Sequence, residues 1–353
     1  MKQESISSLL PLRLGIVGCG AVVREYHIPA FLESPNVVIT YLCDVDQRKA
    51  ILIKKEYGLD SYTTKSVEDL KDSIDLALVA VPPKFHAPVT VELLNMGIHV
   101  ICEKPPATSV VDTEKMAEAA ERNRRVLAIG LVTRFHSNNK VLKKLMQEGL
   151  LGEIREVHVE SGANIDWPMS NDSYYNKNMT LGGVFFDIGF HFLDRILWLF
   201  GDLRIVEYKD DSYGGVEANA EATGVLNIAG REVPCRLRFS WTHSLNNRIL
   251  VVGGEATAEL LMAEPEAVIL KRKAAGSTLE MIVREDLQAE GSQPQNVNYF
   301  RKQIEDVVSA IRGNRHSFIT ADSTIKAMRL IEEAYSKRLR MPQPWVETLL
   351  TQP

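Results

Sequence analysis

The chain lacks the features that mark several large classes of protein. Its 353 residues carry 41 basic and 46 acidic side chains, a formal net charge of −5, so no basic excess is present to neutralise nucleic-acid phosphates. No apolar run approaches the roughly 20 residues that a membrane span needs. Residues 1–18 show neither the apolar core nor the small-residue cleavage site of a secretion signal. We therefore expect no nucleic-acid partner and no membrane partner.

Cysteine is scarce and scattered. The four cysteines are Cys19, Cys43, Cys102 and Cys235, and no two of them have the short C-x-x-C spacing of a zinc or redox site. Their positions favour small buried side chains in a reduced, cytoplasmic protein. No cluster of histidine, cysteine and aspartate has the spacing of metal ligands, so we predict no metal.

What is present is ordinary globular composition, with 45% hydrophobic residues and a length that suggests two domains. The first 130 residues alternate short apolar runs with helical patterns, which indicates βαβ units and a parallel sheet. The predicted strands are 12–17, 37–43, 76–81, 100–102 and 126–129, and the predicted helices are 47–57, 66–70, 88–96 and 112–123.

The pattern changes after residue 131. A helix over 141–148 is followed mainly by strands that alternate apolar and polar residues, as in Cys235–Phe239, which favours an antiparallel sheet. We predict an α/β domain over 1–131 and an α+β domain over 132–353. The predicted strands are 154–162, 204–209, 218–228, 233–242, 248–252, 257–262, 267–271 and 279–284, and the helices are 182–200, 298–312 and 322–339.

A glycine-rich turn follows the first strand. Gly18 and Gly20 form a G-x-G motif, and Val23 stands where a third glycine would complete G-x-G-x-x-G. Such a turn lets a pyrophosphate lie against the backbone, with the N-terminal amides of the next helix facing the phosphates. A purely structural turn is the alternative.

An acidic residue at the end of the second strand supports a dinucleotide site. Asp44 lies 26 residues beyond Gly18 and can accept hydrogen bonds from an adenosine ribose. A carboxylate there favours NAD, because it repels a 2′-phosphate. Arg48, one turn into the following helix, would instead attract that phosphate, so NADP stays open.

Three further segments make the sequence recognisable. They are Val81-Pro82-Pro83-Lys84-Phe85-His86, then Glu103-Lys104-Pro105, and then Gly182-Gly183-Val184-Phe185-Phe186-Asp187-Ile188-Gly189-Phe190-His191. Together with Gly18-Cys19-Gly20 and His27, their order resembles the Gfo/Idh/MocA oxidoreductase family over nearly the whole chain. The resemblance implies an N-terminal Rossmann domain and a C-terminal domain with an open-faced, mostly antiparallel sheet.

The resemblance also implies catalytic roles. Lys104 matches the family's catalytic lysine, and the peptide bond between Lys104 and Pro105 is expected to be cis. Asp187 and His191 are four residues apart, which places them on one face of a helix. His191 would be the general acid and base, and Asp187 would orient it, favour its protonated form, or contact substrate. A structural Asp–His pair is the alternative.

The remaining candidates line the two sides of the expected cleft. Gly182 and Gly183 should permit close backbone approach beside the chemistry, and His27 is either a site residue or a packed core histidine. Trp167 either stacks on a sugar ring or covers the sheet. Cofactor-binding candidates are Gly18, Cys19, Gly20, Ala21, Val22, Asp44, Arg48, Val81, Pro82, His86, Glu103 and Lys104; substrate-binding candidates are Lys104, Arg134, Asn164, Trp167, Asp187 and His191.

These residues predict an NAD(P)-dependent oxidoreductase. Hydride would pass between the nicotinamide and a secondary alcohol or ketone of a sugar, polyol or sugar derivative. Two alternatives stay open: a glycosidase that uses NAD transiently, and a non-catalytic nicotinamide-binding regulator. The resemblance further implies a homodimer or homotetramer formed through the open sheet face, with which apolar residues such as Leu237 and Phe239 are compatible.

Overall fold

A computed structural model describes residues 10–164, 175–274, 277–285, 295–313 and 316–342. The described residues form two sheets, with helices packed between and around them. The first sheet has the strand order β3-β2-β1-β4-β5-β6, and every pairing in it is parallel. Its strands are β1 (Leu12–Val17), β2 (Val37–Cys43), β3 (Tyr62–Thr64), β4 (Leu76–Val79), β5 (His99–Cys102) and β6 (Leu127–Ile129).

The first half confirms the predicted parallel sheet. The strand missed by the sequence is β3, which has three residues and no buried apolar run to reveal it. The connecting helices are α1 (Ile28–Leu32, preceded by a π-turn at Val23–His27), α2 (Gln47–Tyr57), α3 (Pro83–Asn95) and α4 (Val110–Arg122). A 3₁₀ turn at Val67–Leu70 replaces the helix predicted for 66–70.

The second sheet confirms the predicted change of architecture. Among the described residues its order is β14-β13-β12-β11-β7-β10-β9-β8-β15, and its pairings are antiparallel except for β10 with β7 and β15 with β8. Its strands are β7 (Ile154–Gly162), β8 (Leu203–Asp210), β9 (Asn219–Ile228), β10 (Arg231–Ser240), β11 (Arg248–Gly253), β12 (Ala256–Leu261), β13 (Ala267–Ala274), β14 (Ser277–Arg284) and β15 (Arg338–Arg340).

Four more helices complete the described fold: α5 (Ser137–Gln147), α6 (Val184–Phe200), α7 (Gln295–Ile311) and α8 (Ala321–Ser336). The helix predicted for 322–339 was too long, because the chain leaves it after Ser336 and pairs β15 with β8. Within the described residues, no helix combines the length and apolar character needed to cross a bilayer.

Helix α6 covers one face of the second sheet. Phe239 on β10 packs against Phe185 and Phe192 of α6, and both Phe239 and Leu237 are buried. Leu237 and Phe239 therefore belong to the core and give no support to oligomerisation through the open sheet face, which stays a prediction. Charged residues such as Arg236 alternate with them on the opposite face.

Helix α7 follows the second sheet in sequence but packs on the first. Its Val297 and Phe300 share a hydrophobic cluster with Leu14 of β1 and Phe31 of α1. The domain boundary at residue 131 stays a prediction. Helix α7 belongs to the second predicted domain in sequence, but it packs against the first sheet.

Candidate active site

The glycine turn after β1 is shaped first by its own protein neighbours. Gly18 has φ of +94°, and a Cβ added to it would overlap the carbonyl oxygen of Ala80 at the end of β4. Glycine is thus required at this position because the turn runs against the end of β4. From the sequence, we expected the close approach of a pyrophosphate to be the reason. Ala21 and Val22 begin the helical stretch that runs over 21–32, and its first amides have no intrahelical acceptors.

The carboxylate of Asp44 closes this turn from the end of β2. It accepts the backbone N–H of Cys19 at 2.8 Å and that of Asp46 at 2.8 Å, one on each oxygen. Arg48 is exposed, and its guanidinium donates to Asp46 through Nε at 2.8 Å and a terminal nitrogen at 2.9 Å. Arg48 is therefore held at the start of α2 by Asp46.

The glycine turn, Asp44 and two further loops lie at the carboxyl ends of parallel strands, the edge at which such sheets bind ligands. Val81 and Pro82 follow β4, and Glu103 and Lys104 follow β5. The peptide bond between Lys104 and Pro105 is cis, as the resemblance implied. The glycine turn and the first amides of the following helix are groups of the kind that bind a pyrophosphate, so this edge fits a dinucleotide.

His86 joins the loops after β4 and β5 from within the protein. Its Nδ1 lies 2.7 Å from the carbonyl oxygen of Pro105, and its Nε2 lies 2.7 Å from that of Val81. Burial lowers the pKa of His86, against the opposing effect of these carbonyls and of Glu103. With only 1% of its surface exposed, His86 supports the loops and has almost no surface for the cofactor contact that the sequence predicted.

Glu103 is likewise occupied by protein. One carboxylate oxygen lies 2.6 Å from Nε2 of His27, and the other accepts the backbone N–H of Lys104 at 3.0 Å. Both side chains are buried, so His27 is a packed histidine with a carboxylate partner. These bonds support a structural role for Glu103 and do not support the direct cofactor contact that we predicted for it.

Lys104 and Asp187 meet across the space between the two sheets. The Lys104 ammonium lies 2.5 Å from a carboxylate oxygen of Asp187 and 3.4 Å from its backbone carbonyl. Both side chains are mostly buried. Because Lys104 follows β5 and Asp187 lies in the first turn of α6, this ion pair ties the first sheet to the helix that carries His191.

His191 lies one helical turn beyond Asp187. Its Nδ1 is buried and has no hydrogen-bond partner within the described part of the chain, while the ring as a whole is only partly buried. Burial, and then the charges of Lys104, His136 and Arg195, lower the pKa of His191 well below 6.5. The expectation that Asp187 favours the protonated imidazole is wrong, since Asp187 binds Lys104.

Two residues near His191, Arg195 and His136, were not predicted from the sequence. Arg195 is buried and donates to the side-chain oxygens of Asn138 and Asn139 at 2.8 to 3.2 Å, and burial lowers its pKa to about 10. His136 is buried with its ring on Tyr299, and burial lowers its pKa to about 3. Arg195 lies four residues after His191, so helical spacing could have revealed it; nothing in the sequence pointed to His136.

Arg134, predicted to line the substrate pocket, is committed elsewhere. Its guanidinium donates to both oxygens of Asp194, at 2.6 and 2.5 Å, and to the hydroxyl and carbonyl of Ser323 at 3.2 Å. This pair is buried, so Arg134 stabilises the fold and the pocket prediction is wrong. Asn164 is exposed after β7, and Trp167 lies outside the described residues.

Gly182 and Gly183 are also explained by protein contacts. A Cβ on Gly182 would overlap the hydroxyl of Tyr335, and one on Gly183 would overlap the backbone carbonyl of Glu217. That carbonyl accepts the N–H of Val184, and the Glu217 carboxylate accepts that of Phe185, so Glu217 caps α6. The close approach predicted for these glycines is to Tyr335 and Glu217.

Comparison with known proteins decides the family. Residues 12–131 match the model described as "Oxidoreductase family, NAD-binding Rossmann fold", and residues 140–259 match the "GFO/IDH/MocA C-terminal domain". The chain belongs to the Gfo/Idh/MocA family of oxidoreductases. The predicted family and fold class are confirmed, as is a nicotinamide dinucleotide as cofactor.

Individual members of the Gfo/Idh/MocA family extend the comparison. The D-glucoside 3-dehydrogenase of Escherichia coli is 30% identical over 57% of each chain. The dTDP-3,4-didehydro-2,6-dideoxy-alpha-D-glucose 3-reductase of Streptomyces violaceoruber is 26% identical over 70% of this chain and 72% of its own. A 3-ketoreductase from Actinomadura kijaniata, solved with TDP-benzene and NADP, shares the fold, with a TM-score of 0.81 at 18% identity over 95% of this chain and 100% of its own.

Proposed function

We propose that this chain oxidises a secondary alcohol of a sugar or sugar derivative to a ketone, or reduces the matching ketone, with a nicotinamide cofactor. The observation that carries the proposal is the contact between Lys104 and Asp187 at the carboxyl edge of the first sheet, with His191 one turn away. A cation, its fixed partner and a neutral imidazole at the ligand-binding edge are what proton transfer at an alcohol requires.

His191 and Lys104 have different roles at the oxygen atom of the substrate alcohol or ketone. When bound, the nicotinamide takes the hydride from the alcohol carbon or returns it to the ketone. In oxidation, the substrate hydroxyl gives its proton to neutral His191 as its C–O bond becomes a carbonyl. The buried Nδ1 leaves Nε2 as the nitrogen that exchanges this proton. The Lys104 ammonium stabilises negative charge on the oxygen, and Asp187 holds that ammonium in place.

Carbon 3 of a hexopyranose is the proposed site of reaction. The glucoside dehydrogenase and the deoxyglucose reductase described above are each named for chemistry at position 3. The sugars in these two names carry different anomeric substituents, a glucoside aglycone and dTDP, so the reacting ring carbon is the feature that the two enzymes share. The proposal therefore names the ring position and leaves the aglycone free.

NAD is the proposed cofactor in preference to NADP. Asp44 places a carboxylate at the end of β2, where a 2′-phosphate would meet a like charge. Arg48, the cation that would offset this repulsion, already makes a two-bond pair with Asp46. These two observations together favour an unphosphorylated ribose.

A substrate screen tests the proposal. NAD and NADP are each assayed with glucosides, hexose phosphates, nucleotide sugars and polyols, following reduced-nicotinamide absorbance and, in parallel, sugar release. Lys104→Met and His191→Asn should lose most turnover and still bind cofactor, while Lys115→Met, an exposed lysine of α4, is the matched control. Sugar release without net reduction would indicate a glycosidase, and cofactor binding with no turnover would indicate a regulator.

A further inference from the structure

We propose that His27 and Glu103 form a buried positioning pair that holds Lys104 in place and supplies the negative charge behind its ammonium. This inference rests on the proposed function for its kinetic consequence, since Lys104 is the residue there that acts on the substrate oxygen. The pair itself touches neither substrate nor cofactor, and it acts through Lys104.

The Glu103 carboxylate is fixed on both of its oxygens. Glu103 immediately precedes Lys104, and its side chain folds back so that one oxygen accepts the Lys104 backbone N–H at 3.0 Å. The other oxygen is fixed at 2.6 Å by Nε2 of His27. A Cβ on Gly130 would come within 2.9 Å of the Glu103 carboxylate, so the absence of a side chain at Gly130 leaves the space that this carboxylate occupies. The carboxylate thus fixes the peptide from which the Lys104 side chain extends.

His27 lies between the glycine turn and α7. It ends the π-turn that follows the glycine turn, and its ring packs edge-on to Phe300 of α7, with centroids 4.7 Å apart. Only 2% of His27 is exposed. The bond to Glu103 therefore joins the cofactor end of the site, and α7 behind it, to the loop that carries Lys104.

Glu103 carries its charge in a buried position because neighbouring groups favour the anion. Burial alone raises the pKa of Glu103, but the bond from His27 and the charge of Lys104 outweigh it and leave that pKa lowered. Glu103 is therefore an anion, and its attraction to the Lys104 ammonium is mutual. The charged and titratable groups around this anion include His27, Lys104, His86 and the buried thiol of Cys102.

A second anion, Asp187, faces Lys104 from α6, and His191 lies beyond it. Asp187 therefore binds the Lys104 ammonium directly, whereas Glu103 binds the Lys104 backbone N–H. Removing the charge of Glu103 leaves Asp187 as the anion that contacts the ammonium directly.

The test is Glu103→Gln, which keeps the shape and one acceptor oxygen but removes the charge. We expect kcat to fall by roughly tenfold to a hundredfold with KM little changed, because Lys104 is misplaced in the transition state. The alkaline limb of the pH–rate profile should move to lower pH by about one unit, since an ammonium that loses a nearby anion releases its proton more readily.

Two variants of His27 separate positioning from bulk packing. His27→Gln keeps an N–H donor for Glu103 and should retain most of the activity, whereas His27→Leu removes the donor and should reproduce the loss seen in Glu103→Gln. The matched control is Glu56→Gln, which removes an exposed carboxylate paired with Arg24 of the same π-turn, 2.8 Å away. It should leave kcat and the pH profile unchanged.

A readout without substrate keeps this inference distinct from the proposed function. NMR titration of ¹³C-lysine-labelled protein, with the Lys104 signal assigned by its loss in Lys104→Met, reports the ammonium directly. A lower titration midpoint in Glu103→Gln supports the pair even if no sugar is ever turned over. An unchanged midpoint and pH profile in a folded Glu103→Gln protein would overturn it.

Discussion

The buried pair of Arg134 and Asp194 offers the sharpest test of the packing around the site. Both side chains are nearly inaccessible to solvent, and the guanidinium makes two bonds to the carboxylate, at 2.6 and 2.5 Å. Arg134→Ala leaves that carboxylate buried without its cation. Stranding a buried charge in this way costs about 3–5 kcal/mol, a large share of the roughly 5–15 kcal/mol that stabilises a typical protein.

The same pair predicts a pH dependence with a definite sign. Burial raises the pKa of Asp194, and Arg134 opposes that rise. In Arg134→Ala the folded-state pKa of Asp194 therefore moves further above its unfolded value. The loss of stability is fully present above that folded-state pKa and shrinks as the pH falls through it and Asp194 takes up a proton.

Urea unfolding, followed by far-UV circular dichroism at pH 7 and at successively lower pH, measures this loss. The double variant Arg134→Met with Asp194→Leu is the control, because replacing both charges by apolar groups should recover most of the lost stability. A folded Arg134→Ala protein with unchanged stability and a raised KM for sugar would refute this account and return Arg134 to the substrate pocket.

Single substitutions before α6, at the cofactor end and at the general base test the remaining geometry. Gly183→Ala should lower the free energy of unfolding by about 1–3 kcal/mol, because its Cβ would overlap the Glu217 carbonyl; unchanged stability would show that the loop adjusts freely. By calorimetry, Asp44→Ala should weaken NAD binding about tenfold, whereas Arg48→Ala should change it little; the reverse order would indicate NADP. The acid limb of kcat/KM for oxidation should lie well below pH 6.5, because burial and then nearby cations lower the pKa of His191; a limb at 6.5 or above would contradict this.

The sequence was informative wherever periodicity or motif order decides the outcome. Apolar runs between turns revealed β1, β2 and β4, and apolar–polar alternation revealed β10, because burial on two faces or on one face leaves different patterns. The order of the short motifs identified the family and predicted that Lys104 and Asp187 belong to one site, where the structure shows them in contact. The edge strand β3 escaped, since three residues with one buried side chain carry no periodic signal.

Side-chain partners were much harder to foresee. A residue's place in a short motif after a strand does not say which way its side chain turns, so Glu103 and His86 were assigned to the cofactor although protein groups occupy them. Arg134 was assigned to substrate for the same reason, and its partner Asp194 lies 60 residues away in the chain. Contacts at such separation depend on how helices dock, which local sequence does not encode.

The transfer of deuterium tests the central claim most directly. A glucoside deuterated at carbon 3 is incubated with NAD and either the wild-type protein or His191→Asn, and the nicotinamide is analysed by mass spectrometry. The account predicts deuterated reduced nicotinamide and a 3-keto sugar from the wild type, and transfer on the order of a hundredfold slower or more from His191→Asn with NAD affinity unchanged. Wild-type protein that forms no deuterated cofactor, or a His191→Asn protein that transfers at the wild-type rate, would contradict it.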